Sequence, residues 1–202
     1  MKYQESGTDI KLRAWFMSDM SNSQLRQIQL STGSFRGLNA LDIKFDYPIS
    51  VIAGRNGAGK STILALASCA FHAPPGSYKS PKRKYPYYTF SDFFIQHADE
   101  VPPQGLLIHY HIAHNNWAKS AHLPTGVGIG MQERKKVRGG KWNDYDARVP
   151  RTVVFLGIER IVPHIERSQS RSYSRNFKRG SLKGWEKKVM EAVGYILNKK
   201  YS

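Results

Sequence analysis

Residues 54–62 read Gly54-Arg55-Asn56-Gly57-Ala58-Gly59-Lys60-Ser61-Thr62, a complete G-x-x-x-x-G-K-[ST] sequence. Glycines at this spacing let successive backbone N–H groups turn toward one point, and a helix starting near Lys60 adds the positive end of its dipole. The segment is therefore suited to cradle a phosphate. Lys60 is placed to bridge β- and γ-phosphates, and the Ser61 hydroxyl to hold the Mg²⁺ that offsets their charge. Thr62 reads as an N-terminal helix residue rather than a second ligand. The sequence has no Asn/Thr-Lys-x-Asp guanine reader, so the expected nucleotide is ATP.

A phosphate loop needs a strand before it and a helix after it. Ile49-Ser-Val-Ile-Ala53 predicts the strand and the apolar run from Ile63 to Phe71 the helix, which stops at Ala73-Pro74-Pro75-Gly76. Upstream, Ile28 and Leu30, then Leu41, Ile43 and Phe45, alternate with polar residues, so 27–31 and 40–45 are expected as half-buried strands. Residues 1–24 form a polar leader with at most one docked element, leaving 25–202 as one lobe.

Downstream, 77–88 is a loop rich in Pro, Lys and Tyr, and 91–96 a short helix with Ser91 as its N-cap. Strands are expected over 105–112, 130–137, 141–148 and 152–158, with Gly139-Gly140 as the turn of a hairpin. Residues 166–179 are a Ser/Arg-rich loop. Trp185, Val189, Ala192, Val193 and Ile196 recur at helical spacing within 181–199.

Composition narrows the class. The chain has 202 residues, 40% of them hydrophobic, enough for one domain with a real core. The single cysteine, Cys69, lies in the apolar helix; it excludes a disulfide framework and reads as core. No apolar run approaches a bilayer span and the N-terminus lacks a signal-peptide core, so a cytoplasmic protein without a membrane partner is expected. The balance of 31 Lys+Arg against 15 Asp+Glu gives +16, a charge that attracts polyanions through counterion release. The same charge also suits one half of a larger protein whose other half carries compensating acid.

The series Phe35-Arg36-Gly-Leu, Ile43-Lys-Phe45 and Ile49 to Leu64, with Asn56 before Gly57, resembles the N-terminal part of ABC-type AAA ATPases, the SMC-like, RecF-like and OLD-like proteins. A looser likeness through Phe90-Ser-Asp-Phe-Phe94, Val153 to Gly157 and Arg160 to Pro163 extends to bacterial AAA family ATPases, many linked to phage defence. The resemblance implies an α/β P-loop NTPase lobe with a mixed sheet, an antiparallel β-subdomain and a C-terminal helix. It implies ATP held between this loop and a signature loop of another subunit, whether a second ATPase half or a homodimer partner, with DNA as a further partner met through basic loops. It also implies a place near the nucleotide for Arg36, and one near Mg²⁺ and the attacking water for Gln96.

Two parts of the family pattern are missing. No apolar tetrad is followed by Asp-Glu; the nearest approach, Val153 to Glu159, has Gly157 where the metal-orienting Asp belongs. Arg138-Gly139-Gly140 lacks the serine of the signature loop and reads as a hairpin turn. The chain is accordingly expected to be an incomplete N-terminal lobe that binds Mg-ATP and hydrolyses it only when completed. Two alternatives remain: a stand-alone P-loop kinase or GTPase-like enzyme with Glu159 as its acid, and a basic nucleic-acid-binding module with a vestigial phosphate loop.

Other constellations carry less. His109 and His111 share a strand face without a Cys or acidic third ligand, so a polar outer face explains them better than a zinc site. Gly126-Val-Gly128-Ile-Gly130 follows no apolar strand and is not a dinucleotide fingerprint. The cations and tyrosines between Lys79 and Tyr88, and the series Arg160, Arg167, Arg171, Arg175, Lys178 and Arg179, are where DNA or RNA would be met.

Overall fold

The structure, a computed structural model, describes residues 4–79, 83–94, 105–136, 142–143, 148–157 and 184–197. It falls into two units, Met1–Phe155 and Leu156–Ser202.

The first unit is built on an antiparallel sheet of order β2-β1-β3-β4-β5. Its strands are β1 (Gln24–Thr32), β2 (Leu41–Lys44), β3 (Leu106–His114), β4 (Gly128–Lys136) and the two-residue β5 (Trp142–Asn143). Because successive side chains of a strand point to opposite faces, the register sorts the residues. Ile28 pairs with Tyr110 and Leu30 with Ile108 on the inner face, while Gln27 pairs with His111 and Gln29 with His109 on the outer one. His109 then meets Glu133 on β4, with Nε2 3.2 Å from the carboxylate, and its Nδ1 lies 2.8 Å from the Ser31 hydroxyl. Among the described residues no group of His, Cys, Asp or Glu is arranged to hold a metal ion.

The inner face is covered by α2 (Lys60–Ser68) and the short α3 (Phe90–Phe93). α2 buries Ile63, Ala65, Leu66 and Ser68 together with Cys69 and Ala70 just beyond it. The Tyr110 hydroxyl, fully buried on β3, donates to the Leu66 carbonyl at 2.8 Å and fixes the helix over the middle of the sheet. Burial pushes the Cys69 thiol up to about 12, so it is an inert core group.

The leader contains one element, α1 (Gly7–Ser18), started by a capping box between Ser6 and Asp9. Phe16 is its buried anchor, with the Arg26 guanidinium 4.0 Å over the ring. Arg26 lies on the buried face of β1 and donates to the Phe16 carbonyl, so the one cation among that strand's inward residues is spent on holding α1. Burial lowers the Arg26 pKa against the pull of Asp19.

Several expectations need correction. Residues 49–53 form no strand: Ile49 is 75% and Val51 87% exposed. Residues 152–157 are likewise not a strand, and Val154 is exposed. A strand is stable only when its N–H and C=O groups are paired, and among the described residues neither segment has a ladder partner. The expected mixed sheet is accordingly antiparallel in every described ladder, the parallel bridge of His72 with Pro150 standing outside it. The N-cap of the short helix lies two residues earlier than expected. Thr89, not Ser91, is its N-cap, because Asp92 three residues on completes a capping box with Thr89. The expected second hairpin strand is described only at Trp142–Asn143, and the loop at 166–179 lies outside the described residues.

The second unit contains α4 (Gly184–Leu197), which lies within the expected 181–199 and leaves Trp185, Val189, Val193 and Ile196 exposed; residues 181–183, 198 and 199 lie outside the described residues. Among the described residues no helix is long and apolar enough to cross a membrane.

Candidate phosphate-binding site

The loop before α2, exposed over 54–58 and half-buried at Gly59, turns on two glycines in left-handed backbone, Gly57 and Gly59, each at φ +83°. An L-residue with a Cβ disfavours that conformation, so the glycine spacing of the motif is a backbone requirement here. Gly59 is the N-cap of α2 and supplies no side-chain hydrogen bond to it. The first-turn amides of a helix have no intrahelical partner, and α2 carries no acidic residue in its first turn to neutralise its dipole. The result is an uncapped, positive helix end facing outward with the exposed Ser61 beside it.

Lys60 turns back over the loop. Its Nζ donates to the carbonyls of Gly54 at 2.8 Å and Arg55 at 2.7 Å, and the Ala58 N–H donates to the Arg55 carbonyl at 3.2 Å. The ammonium is thus held at the mouth of the loop by the loop's own backbone. Arg55, Asn56 and Ala58 are exposed on the loop, and Thr62 is half-buried within the first turn of α2, as its reading as a helix residue requires. This donor set fits a nucleotide polyphosphate: the uncapped first turn of α2, a lysine over the loop, and a hydroxyl at the helix start for Mg²⁺.

Arg36 comes to the same end of the molecule by a route the sequence did not announce. Phe35 and Leu38 exchange backbone hydrogen bonds of 2.8 and 2.9 Å around Arg36 at φ +47° and Gly37 at φ +80°. Positive φ at both central residues is the mark of a type I′ turn. Phe35 is buried in the core, and Leu38 lies against the loop: a Cβ on Gly59 would stand 2.8 Å from the Leu38 Cδ2. The turn therefore abuts the phosphate loop with Arg36 at its exposed tip, the guanidinium 5.4 Å over the Phe94 ring. Leu38 is the residue the sequence reading missed. Its only signal was the position after the Arg-Gly pair, too little to predict a tertiary contact.

Gln96 and Glu159 lie outside the described residues. His114 is a core histidine on a sheet end, its Nδ1 2.8 Å from the Ser23 hydroxyl, with its pKa lowered by burial.

A helix that begins in a G-x-x-x-x-G-K-[ST] loop is the phosphate-binding part of a P-loop NTPase lobe, here without the strand expected before the loop. A family model described as an AAA domain matches residues 29–199. The chain belongs to that family, in the N-terminal, phosphate-loop part of an ABC-type ATPase. Membership implies ATP as the nucleotide, with Mg²⁺ as its usual counter-ion. No curated protein and no solved structure matches the chain.

Proposed function

We propose that this chain is the Mg-ATP-binding lobe of an SMC-like AAA/ABC ATPase, with residues 54–62 as the phosphate site and Arg36 reaching the nucleotide from the neighbouring turn. The observation that carries the reading is the uncapped start of α2 with Lys60 held over glycine-shaped backbone. Mg²⁺, when bound, neutralises phosphate charge; Ser61 is the residue of this chain that would hold it. The lobe binds and orients nucleotide, while the acid that activates water comes from a completing half or a homodimer partner. Ile49, Val51 and Val154 support that part. They are apolar residues of strand-forming type left exposed, as expected of segments that pair as strands only with a neighbour supplied by another segment. The charge of +16 favours DNA as the macromolecule on which the assembled ATPase acts.

The test is calorimetric titration of Mg-ATP into the chain and into Lys60→Ala. Loss of the charge-assisted contacts of one lysine is worth about 1.5–3 kcal/mol, so affinity should fall roughly 10- to 150-fold, with no turnover in either sample. Unchanged affinity in Lys60→Ala sinks the proposal.

A further inference from the structure

At the far end of α2 from the phosphate loop, the chain builds an aromatic row that the nucleotide site does not use. Tyr87 is stacked on His72, with centroids 4.3 Å apart and planes 28° apart. It is also stacked on Tyr85, 5.2 Å away at 19°. The row is rooted in the fold. The His72 N–H donates to the Val149 carbonyl at 3.1 Å, and its carbonyl accepts from the Arg151 N–H at 2.8 Å. Pro86, which has a fixed φ and no N–H, separates Tyr85 from Tyr87.

The next residue shows what a structural tyrosine looks like here. Tyr88 is buried, stacks on Phe93, and its hydroxyl accepts the Phe155 N–H at 3.0 Å. Tyr85, by contrast, is 46% exposed and ends the row in solvent. Cations flank it: Lys84, itself exposed, has its Nζ 5.3 Å from the Tyr85 centroid, and Arg148 lies 4.9 Å over Tyr87. Arg148 is positioned by donating to the Tyr88 carbonyl at 3.0 Å.

We propose that the His72–Tyr87–Tyr85 row with Lys84 is a docking site for single-stranded nucleic acid, an unpaired base stacking on Tyr85 while the exposed Lys84 meets an adjacent phosphate. A stacked row that ends in the exposed Tyr85 gives any base a π-face to stack on, and a chain with 31 Lys+Arg against 15 Asp+Glu supplies the attraction for the backbone. Duplex bases are stacked on one another and cannot reach Tyr85, so the site selects unpaired strands. The proposal deepens the DNA part of the function proposed above and is independent of its ATP part.

The test is fluorescence anisotropy of a labelled oligothymidine and of a duplex of equal length, at two salt concentrations. It compares the full chain with Tyr85→Ala, Tyr85→Phe and Lys60→Ala. Loss of one stacked base weakens single-strand affinity about 5- to 150-fold in Tyr85→Ala. Tyr85→Phe keeps the ring and stays within about twofold of the parent, and duplex affinity is the same in all variants. Lys60→Ala loses ATP but keeps oligothymidine, which separates the two sites. Unaltered circular dichroism excludes misfolding of Tyr85→Ala. Salt-sensitive binding that ignores Tyr85→Ala overturns the stacking site and leaves the DNA reading standing. Absence of binding to either probe overturns both. Tyr85-dependent capture of a proline-rich peptide, with no such dependence for oligothymidine, overturns the proposal in favour of a protein ligand.

Discussion

Gly57 and Gly59 have the same backbone angle, φ +83°, but different surroundings, and the pair offers a controlled perturbation of the loop. A Cβ on Gly57 meets nothing within 4 Å, whereas one on Gly59 stands 2.8 Å from Leu38 Cδ2. Gly57→Ala therefore carries only the left-handed penalty, about 1–2 kcal/mol. Gly59→Ala carries the same penalty and must also push the Leu38 side chain off its rotamer, a further 0.5–1.5 kcal/mol or so. Because the loop is exposed, the strain is released by abandoning the conformation in which the amides converge, not by unfolding the domain. It should thus appear in ATP affinity, scaled by the fraction of competent loops, while the urea midpoint shifts little. Converted at about 1.4 kcal/mol per tenfold, Gly57→Ala weakens Mg-ATP roughly 5- to 30-fold and Gly59→Ala roughly 12- to 350-fold. Leu38→Ala added to Gly59→Ala should restore affinity toward the Gly57→Ala value. Calorimetry on the four proteins decides it. Equal losses for both glycines, or no recovery on trimming Leu38, would refute the idea that the Phe35–Leu38 turn braces the phosphate loop.

Two further predictions bear on the scaffold. Tyr110→Phe removes a fully buried hydroxyl that ties β3 to the Leu66 carbonyl, and should cost about 1 kcal/mol in urea unfolding; a neutral result would mean that α2 is held by packing alone. Stability should also fall in two steps on acidification. His114 is lowered by burial and His111 by burial and then by His109, so both stay neutral in the folded chain while the unfolded chain takes up protons; stability is complete above about pH 6.5 and declines below it. Burial alone would raise Asp92, but hydrogen bonds from Thr89 and Arg83 outweigh it and hold the carboxyl below its usual range. Its contribution is therefore present above about pH 4 and lost beneath that. Denaturant midpoints from pH 8 to 3 would show it: His114→Gln should flatten the upper step and Asp92→Asn the lower, and a flat profile between pH 7 and 5 would count against the histidine assignment.

Local patterns told most of what the sequence could tell. The phosphate loop is a run of backbone requirements: glycine where φ is positive at 57 and 59, lysine and serine at the helix start. Nothing distant is needed to specify it. The period-two runs at 24–32, 41–44 and 106–114 are likewise strands because a pleated chain sorts its own side chains onto two faces. The Thr89-x-x-Asp92 capping box is legible in the sequence too: Ser91, a neighbour equally able to cap, has no acid three residues on.

Other features belong to the tertiary structure. Ile49–Ala53 has the composition of a buried strand, but a strand exists only with a partner, and the sequence of one segment cannot say whether its partner is at hand. The left-handed Arg36, the contact of Leu38 with Gly59 and the bond from Tyr110 to Leu66 each join residues far apart in the chain. Their signal is distributed over the packing of β1, β3 and α2. By itself, then, the sequence determined the chemistry the loop can do, because that chemistry is written in nine consecutive residues. Only the fold decided what braces the loop and which apolar segments stay open, because those depend on distances between residues that the chain's order does not contain.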